Sequence, residues 1–511
     1  GTYLIQIMPV KYHWNIIKQL VSKNFTRENV RRVFMQEQEK KIAQQDAVDE
    51  EFMLDAVPIT KRRSTYSQIM VWVGFGYVAT GLFVGGTLAG YGGAPGLNPG
   101  DAILAIILGM GALFVMTSLL GVAAQKTGLN LALISRYSYG SKGFIIPMAM
   151  MAVMTFGWFS SIVGMVADIW GGLIGNPSGV IVFSPASWGY EAVPDITLEV
   201  LIAVILWGLV FTYSAVKGIS AIEKVAKFAC PIILIVAIVV GVGMMRDGGG
   251  FHSFINRAND LGGLGLGTGI TAVVGSWIAG AVMGVDMFRF NKNVKAVWIC
   301  AASCFIFTNP LLNIVGYIGS VSVGQYNYVA WMMGLNVIFA FVGVFAWTTS
   351  LWTTDNSELY CNSLYTGPIL DAVGIKANRK VLVTICGILG TVLGAIGFYQ
   401  IFFANFINVL GAMAPPLCAP ILADYYLVGH KKYDHRLLHK QPKWRWAGII
   451  SFAIGAALGY IFQYVTTLPY NLPAGLFAML VSLVVYYIIY RFLPDKKEDN
   501  KLIETLETNN V

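Results

Sequence analysis

Twelve long apolar segments constrain what this chain can fold into. A helix needs about 20 apolar residues to cross a bilayer. The segments are residues 67–90, 101–124, 144–174, 196–216, 225–245, 268–288, 296–320, 328–362, 381–398, 402–427, 446–466 and 471–491. They are apolar on all sides, whereas helices on the surface of soluble proteins keep a polar face. Only 12% of the 511 residues are charged, against about 25% in soluble proteins. We therefore predict an all-α integral membrane protein with twelve transmembrane helices.

Lys and Arg residues are concentrated in alternate loops. They cluster before the first segment and after the second, fourth, sixth, eighth and tenth, whereas the other loops carry few, with Arg246 and Arg257 as exceptions. Positively charged loops stay on the cytoplasmic side. This pattern predicts a multi-pass protein of the cell (plasma or inner) membrane with both termini cytoplasmic. It also accounts for the net charge of +8, so nucleic acid is not an expected partner.

The first and sixth segments are interrupted by glycine. The first carries Gly74, Gly76, Gly81, Gly85 and Gly86, and the sixth reads AVVGSWIAGAVMG over residues 272–284. Glycine-interrupted segments at matching positions of two halves indicate a transporter binding site, because an unwound helix frees backbone carbonyls and N–H groups for a ligand. Close helix packing through small residues is the alternative for any single glycine.

This symmetry predicts two five-helix units of inverted topology. The predicted organisation is a cytoplasmic N-terminal tail (1–66), a first repeat with helices 1–5 (67–245) and a second repeat with helices 6–10 (268–427). Helices 11 and 12 follow (446–491), and residues 492–511 form a cytoplasmic C-terminal tail.

Trp158 and Trp277 lie near the middle of the third and sixth segments. Tryptophan usually lies at the membrane interface, so two at mid-depth indicate stacking walls for a flat ligand, with ordinary core packing as the alternative. In the eighth segment Ser350, Thr353 and Thr354 share one helix face. Their hydroxyl oxygens, combined with backbone carbonyls, suit sodium, although such side chains often bond only their own helix. Asn356 could bond both a ring N–H and a ring carbonyl.

Enzymatic chemistry is not indicated. The six cysteines show no disulfide or metal spacing, and the five histidines lie outside the apolar segments. A buried Ser or Cys nucleophile would then lack its usual base. We predict that the chain is not an enzyme and needs no cofactor beyond a coupling ion, expected to be sodium.

Several motifs resemble one transporter family. These are GGTLAG (85–90), AQKTGLNLALISRYSYGSKG (124–143), GWF (157–159), VVGSW (273–277), DMFRF (286–290), WTTDNSELY (352–360) and PPLCAPILADYY (415–426). In order and spacing they resemble the nucleobase–cation symporter (purine/cytosine permease) family, most of all its bacterial cytosine permeases, from about residue 60 to 490. The resemblance implies a five-plus-five inverted-repeat (LeuT-like) fold with two extra C-terminal helices, and cation-coupled uptake of a nucleobase or related heterocycle.

The resemblance also implies site residues. Trp158 and Trp277 correspond to the aromatic residues that sandwich the ring, and Ser276 lies at a substrate-contacting position. Ala79, Thr155 and Asn356 complete the predicted substrate site. The carbonyls of Val78 and Gly81 and the side chains of Ser350, Thr353 and Thr354 correspond to sodium ligands. Asp286 and Arg289 are expected to have a structural or gating role at the inner end. Uptake would proceed by alternating access, with the tenth helix, kinked at GAMAPP (411–416), closing over the ring.

Two positions depart from the cytosine permeases. Thr155 stands where they have a glutamine, and Ala279 where they have a second serine, so groups that could bond the ring are missing. Cytosine, a purine, uracil, hydroxymethylpyrimidine or thiamine, and allantoin or hydantoin all stay open as substrates. A proton-coupled variant could use Asp355, Glu358 or Asp168. An amino-acid symporter of the same fold and a membrane sensor are the remaining alternatives, and we expect a monomer.

Overall fold

The computed structural model describes residues 51–190, 195–429, 433 and 435–492. The chain divides into two compact units, Gly1–Phe52 and Met53–Val511, and almost every described residue belongs to the second. Most of the predicted N-terminal tail and the predicted C-terminal tail from residue 493 lie outside the described residues. The division into tails and repeats therefore stays a prediction.

The described part is built almost entirely of helices. They are α1 (Thr65–Gly76), α2 (Ala79–Leu88), α3 (Pro99–Thr127), α4 (Leu131–Tyr139), α5 (Ile145–Ile174), α6 (Leu198–Val216), α7 (Ile219–Asp247), α8 (Gly250–Asn259), α9 (Leu266–Gly275), α10 (Ile278–Phe288), α11 (Val294–Ala302), α12 (Asn309–Val323), α13 (Tyr328–Leu335), α14 (Val337–Ala372), α15 (Arg379–Ala395), α16 (Phe398–Met413), α17 (Pro415–Leu422), α18 (Trp446–Tyr464) and α19 (Ala474–Phe492). Two short strands, β1 (Ile181–Phe183) and β2 (Ile196–Thr197), pair antiparallel.

Within the described ranges, nine helical stretches are long and apolar enough to cross a membrane when α9–α10 and α11–α12 are each counted as one. The number is ten if α1 and α2 also form one bent span. Many large apolar side chains on them are exposed, for example Ile107, Val153 and Ile238, as expected of surfaces that face lipid. α15 and α16 are shorter, at 17 and 16 residues. The all-helical membrane architecture is confirmed, whereas the number of twelve spans stays a prediction.

Both glycine-rich segments break where the sequence predicts. α1 ends at Gly76 and α2 begins at Ala79, with Val78 in an extended conformation and a bend of 49°. The sixth segment is interrupted at Ser276 and Trp277, between α9 and α10.

The eighth segment differs from the prediction of residues 328–362. Tyr328–Leu335 forms the separate helix α13, and α14 begins at Val337 and continues to Ala372. Asn336 causes this division, because its backbone is extended and its side chain accepts a hydrogen bond from the Phe339 N–H at 3.1 Å. The motif at 347–360 consequently lies in the middle of a 36-residue helix. The tenth segment also divides, at Ala414, before two prolines that lack N–H donors.

Close glycine contacts hold α2 against α12. A methyl group on Gly85 would lie 2.1 Å from the backbone oxygen of Asn313, and one on Gly316 would lie 2.1 Å from the backbone oxygen of Leu82. Gly81 and Gly85 are four residues apart, so they form one small-residue face that lets the two helix backbones approach.

We predict that Gly85→Ala and Gly316→Ala each destabilise the protein by about 1–3 kcal/mol or more, because backbone atoms must move to admit the methyl group. The measurement is thermal unfolding of the purified protein in detergent. Gly111→Ala in α3 is the control, since nothing lies within 4 Å of a methyl group there. It should be neutral or stabilising by up to about 1 kcal/mol. Equal effects at all three positions would contradict the packing argument.

Candidate functional site

Trp277 lies at the break of the sixth segment and contacts the first. Its ring meets Phe75 of α1 edge-on, with centroids 4.9 Å apart, and Phe305 of the turn before α12 at 5.5 Å. A methyl group on Gly280 would lie 2.4 Å from the same ring, so glycine gives the ring its room. The indole is 4% exposed and its N–H has no hydrogen-bond partner. The broken helices therefore meet at an aromatic cluster in which the Trp277 indole N–H is an unused donor.

Ser276 precedes this tryptophan and is also buried. Its hydroxyl donates to the backbone oxygen of Val273 at 2.8 Å. A methyl group on Gly411 of α16 would lie 3.3 Å from the Cα atom of Gly275. Because nothing bulkier than glycine separates these backbones, α16 passes directly beside the break in the sixth segment.

Trp158 lies on α5 and is covered by the same helix α16. Its ring is 6.2 Å from that of Phe406, edge to face. Phe406 also packs onto Gly157, where a methyl group would lie 2.5 Å from the ring. α16 thus contacts α5 beside Trp158 and α9 beside the break that precedes Trp277. The closing movement of the tenth segment stays a prediction.

Thr155 is one helical turn before Trp158 and is engaged by another polar residue. Its hydroxyl donates to the Met151 carbonyl at 2.9 Å and accepts from the side-chain nitrogen of Asn362 at 3.1 Å. Asn362 also donates to the Ala152 carbonyl at 2.7 Å, and its side-chain oxygen is buried without a partner. Sequence reasoning missed Asn362, although it follows Glu358 by one helical turn on α14.

Asn356 faces a different neighbour from the other predicted substrate contacts. Its amide bonds the hydroxyl of Ser214 on α6 at 2.8 Å. With the amide oxygen turned toward Ser214, it also accepts from the Trp352 indole N–H at 3.2 Å, and the amide nitrogen donates to the Phe211 carbonyl at 3.2 Å. These partners satisfy Asn356 at the α6 interface. The side chain of Ala79 lies outside the described residues, and its backbone begins α2.

Of the predicted cation ligands on α14, Thr353 contacts α1. The Thr353 hydroxyl lies 2.7 Å from the backbone oxygen of Gly74 and 2.6 Å from that of Ser350. The Ser350 hydroxyl donates to the Trp347 carbonyl at 2.9 Å, whereas the Thr354 hydroxyl is buried without a partner. Oxygen atoms of this kind are the ligands that hard cations prefer.

On α1 and α2, the carbonyl that contacts Thr353 is that of Gly74 and not that of Val78 or Gly81. Gly74, four residues before Val78, provides the carbonyl that reaches Thr353. The Val78 carbonyl accepts from the Gly81 N–H at 3.1 Å, and Gly81 packs against Leu312 of α12. The predicted roles of Val78 and Gly81 as ligands stay predictions.

Asp286 and Arg289, at the end of α10, form hydrogen bonds that connect α10 with α4 and α14. Asp286 accepts from the Leu131 N–H at the start of α4, at 2.9 Å, and from the Tyr365 hydroxyl of α14, at 2.5 Å. Arg289 donates to the Tyr360 hydroxyl of α14 at 3.0 Å. The carboxylate stabilises the N-terminus of α4, where backbone N–H groups lack partners. All of these side chains are buried.

We predict that Asp286→Asn lowers the stability of the folded protein by about 1–3 kcal/mol, because two buried hydrogen bonds lose their charged acceptor. Tyr365→Phe should cost less. The double variant should cost less than the sum of the two, since both remove the same bond. Thermal unfolding in detergent measures all three. Tyr66→Phe on α1, where the side chain is exposed, is the control, and strictly additive effects would exclude the interaction.

A family model and two known proteins that resemble this chain are all described as permeases. A family model described as "Permease for cytosine/purines, uracil, thiamine, allantoin" matches residues 56–488. The cytosine permease of Escherichia coli strain K12 is 28% identical over 412 residues, covering 81% of this chain and 89% of that protein. The hydantoin permease of Microbacterium maritypicum is 21% identical over 386 residues, covering 71% and 75%.

Among solved structures, the transporter Mhp1 in a closed conformation with bromovinylhydantoin bound has the same fold. The TM-score is 0.69 with 18% sequence identity, and the match covers 86% of this chain and 94% of that one. At this identity the match establishes the fold and not the ligand.

Proposed function

The chain belongs to the family of permeases for cytosine/purines, uracil, thiamine and allantoin, and from that premise we propose that it is a secondary active transporter. It takes up a nucleobase or a related flat heterocycle together with a cation, and the cation is sodium. It acts by alternating access, as a monomer in the cell membrane with both termini cytoplasmic. The family consists of membrane permeases and not of enzymes.

One observation carries this proposal, namely the buried indole of Trp277 at a helix break. Its N–H lacks a partner, and its ring packs beside Phe75 of the other broken helix. A flat heterocycle would use both features, because it stacks on an aromatic face and its ring nitrogen or carbonyl can bond a nearby donor. Trp158 supplies the second face, and α16 covers it through Phe406.

The substrate class follows from the relatives. A cytosine permease and a hydantoin permease both match most of the chain, and cytosine and hydantoin are both small planar rings with adjacent N–H and carbonyl groups. Thr155 is bonded to Asn362 in this chain, so recognition of the ring edge falls to the free side-chain oxygen of Asn362 and to Ser276. The cytosine permeases have a glutamine where this chain has Thr155, and this difference in the site favours a ring other than cytosine.

Sodium coupling rests on the oxygen atoms between α1 and α14. Thr353 lies against the Gly74 carbonyl, and the Thr354 hydroxyl beside it has no partner. A cation bound there would join the two helices and fix the geometry of the first helix break. Inward movement of one positive charge gains about 2.3 kcal/mol per 100 mV of membrane potential, which drives accumulation.

We predict sodium-stimulated accumulation of one ring by proteoliposomes offered radiolabelled cytosine, uracil, adenine, hypoxanthine, hydroxymethylpyrimidine or hydantoin. Trp158→Ala and Trp277→Ala should reduce uptake roughly 5- to 150-fold, since stacking on one aromatic ring contributes about 1–3 kcal/mol. Trp277→Phe keeps a stacking face and should retain part of the activity.

The control is Trp188→Ala, because this side chain is 60% exposed in a loop and should leave uptake unchanged. Folding of each variant is checked by size-exclusion chromatography. Absence of uptake of every ring by well-folded protein would reject the transport proposal. Specific binding without accumulation would instead favour a sensor.

A further inference from the structure

Three sulfur atoms from three different helices meet beside α17, the second part of the tenth segment. The Cys418 sulfur on α17 lies 3.8 Å from the Met116 sulfur on α3 and 3.8 Å from the Met479 sulfur on α19. Cys418 and Met116 are buried, and Met479 is half-buried. The three positions are far apart in the sequence, so the spacing of the cysteines gives no indication of this sulfur cluster.

Hydrogen bonds close to the sulfur cluster fix the three helices relative to one another. The Ser482 hydroxyl of α19 donates to the Pro416 carbonyl of α17 at 3.2 Å. The Tyr426 hydroxyl, which follows α17 in the chain, donates to the Leu119 carbonyl of α3 at 2.8 Å. Ser482 and Leu119 each lie about one helical turn after the methionine of their helix. The backbones that carry the sulfur atoms are therefore held in place by other contacts.

The sulfur–sulfur distances fit three ligands around one metal ion. Thiolate sulfur bonds metal ions at about 2.3 Å, so three such ligands in a trigonal plane are about 4.0 Å apart. Two ligands on opposite sides of an ion would be about 4.6 Å apart. Both measured separations, at 3.8 Å, are closer to the trigonal value.

Other side chains that commonly bind metals do not form such a group. Among the residues that the structure describes, His, Cys, Asp and Glu side chains do not gather in groups of three or more that could hold a metal ion. Methionine sulfur is a ligand of a different kind, because thioethers and thiolates prefer soft ions such as Cu(I), whereas hard cations prefer oxygen. The sulfur cluster is therefore suited to an ion that the oxygen atoms near Thr353 do not select.

The charge of the ligands favours a monovalent ion. One thiolate and two neutral thioethers together carry one negative charge, so a monovalent cation makes the site neutral. A divalent ion such as Zn²⁺ would leave one positive charge buried and uncompensated, which is costly inside a membrane protein. The combination of soft ligands and a single negative charge points to Cu(I).

We propose that Cys418, Met116 and Met479 form a binding site for Cu(I). When no metal is bound, the Cys418 thiol donates to the Pro415 carbonyl at 3.0 Å. On binding, the S–H bond breaks, its proton passes to the solvent, and the thiolate forms a bond to copper. The two thioethers contribute lone pairs. Copper stays Cu(I), so no electron is transferred, and the released proton balances the charge of the ion.

Met479 provides the side from which an ion can reach the buried thiol. This side chain is half-buried, and its neighbour Leu480 is exposed. Methionine is unbranched and has three rotatable bonds, so its sulfur can turn aside and return without movement of α19. The inference does not depend on the proposed function, because binding of copper is measured directly on the purified protein.

The experiment titrates the whole chain in detergent with Cu(I) against the indicator bicinchoninate, without oxygen and with ascorbate to keep copper reduced. We expect about one tightly bound Cu(I) per chain. Met116→Leu and Met479→Leu should each weaken binding by about tenfold or more, since even residues behind metal ligands affect affinity by 10- to 100-fold. Cys418→Ser should remove the tight site. Leucine is close to methionine in volume, so the two methionine variants should fold.

Two control variants separate this site from general binding to sulfur. Met148→Leu replaces another buried methionine, on α5, and Cys386→Ser replaces a half-buried cysteine on α15. Both should keep the affinity of the wild-type protein for Cu(I). Sodium chloride should not displace the copper, because hard cations prefer oxygen ligands.

Three results would overturn the proposal. The first is the absence of tight Cu(I) binding by the wild-type protein. The second is unchanged affinity in both Met116→Leu and Met479→Leu, which would show that the thioethers only fill space. The third is binding that is lost in Cys386→Ser and kept in Cys418→Ser. If Cys418→Ser fails to fold, the two methionine variants decide the question.

Discussion

A helix can break inside a membrane only where protein or ligand satisfies the backbone groups that the break exposes, because lipid offers no hydrogen-bond partners. At the first break, the side-chain nitrogen of Asn309 donates to the Gly76 carbonyl at 3.2 Å, and Thr353 donates to the Gly74 carbonyl at 2.7 Å. At the second, Ser276 donates to Val273 at 2.8 Å. Asn309 of α12 and Thr353 of α14 therefore supply hydrogen bonds to carbonyls at the first break.

This requirement explains the glycine contacts around the breaks. Asn309 can reach Gly76 only if α12 lies close to the first segment, and Gly85 and Gly316 allow that approach. Gly411 similarly lets α16 pass beside Gly275 at the second break. Glycines in these segments thus have two roles. Some lie at the helix break, and others allow a neighbouring helix to pack close to the break. The sequence alone does not distinguish the two roles.

The breaks and the membrane architecture could be predicted from sequence, because both depend on local composition. Glycine clusters weaken a helix wherever it packs, and apolar length alone indicates a span. The carbonyl that accepts from Thr353 could not be predicted, since it depends on how α1 is rotated against α14. The start of α14 was missed because one capping residue, Asn336, ends an apolar run that shows no change in composition. Asn362 was missed because its side chain bonds Thr155 and Ala152 of α5, and the sequence of α14 does not show which of its residues contact α5.

The polar residues of α14 divide among its faces, and each face engages a different helix. Thr353 contacts α1, Asn356 contacts α6, Asn362 contacts α5, and Tyr365 contacts α10. No glycine or proline lies between Thr353 and Tyr365, so this part of α14 has no residue at which a helix bends readily. A rotation or tilt that changes the contact with α1 must then change the contact with α10 as well. Because α14 is unbent here and contacts four helices, a change in the contact between Thr353 and α1 can be transmitted along α14 to the contact between Tyr365 and α10.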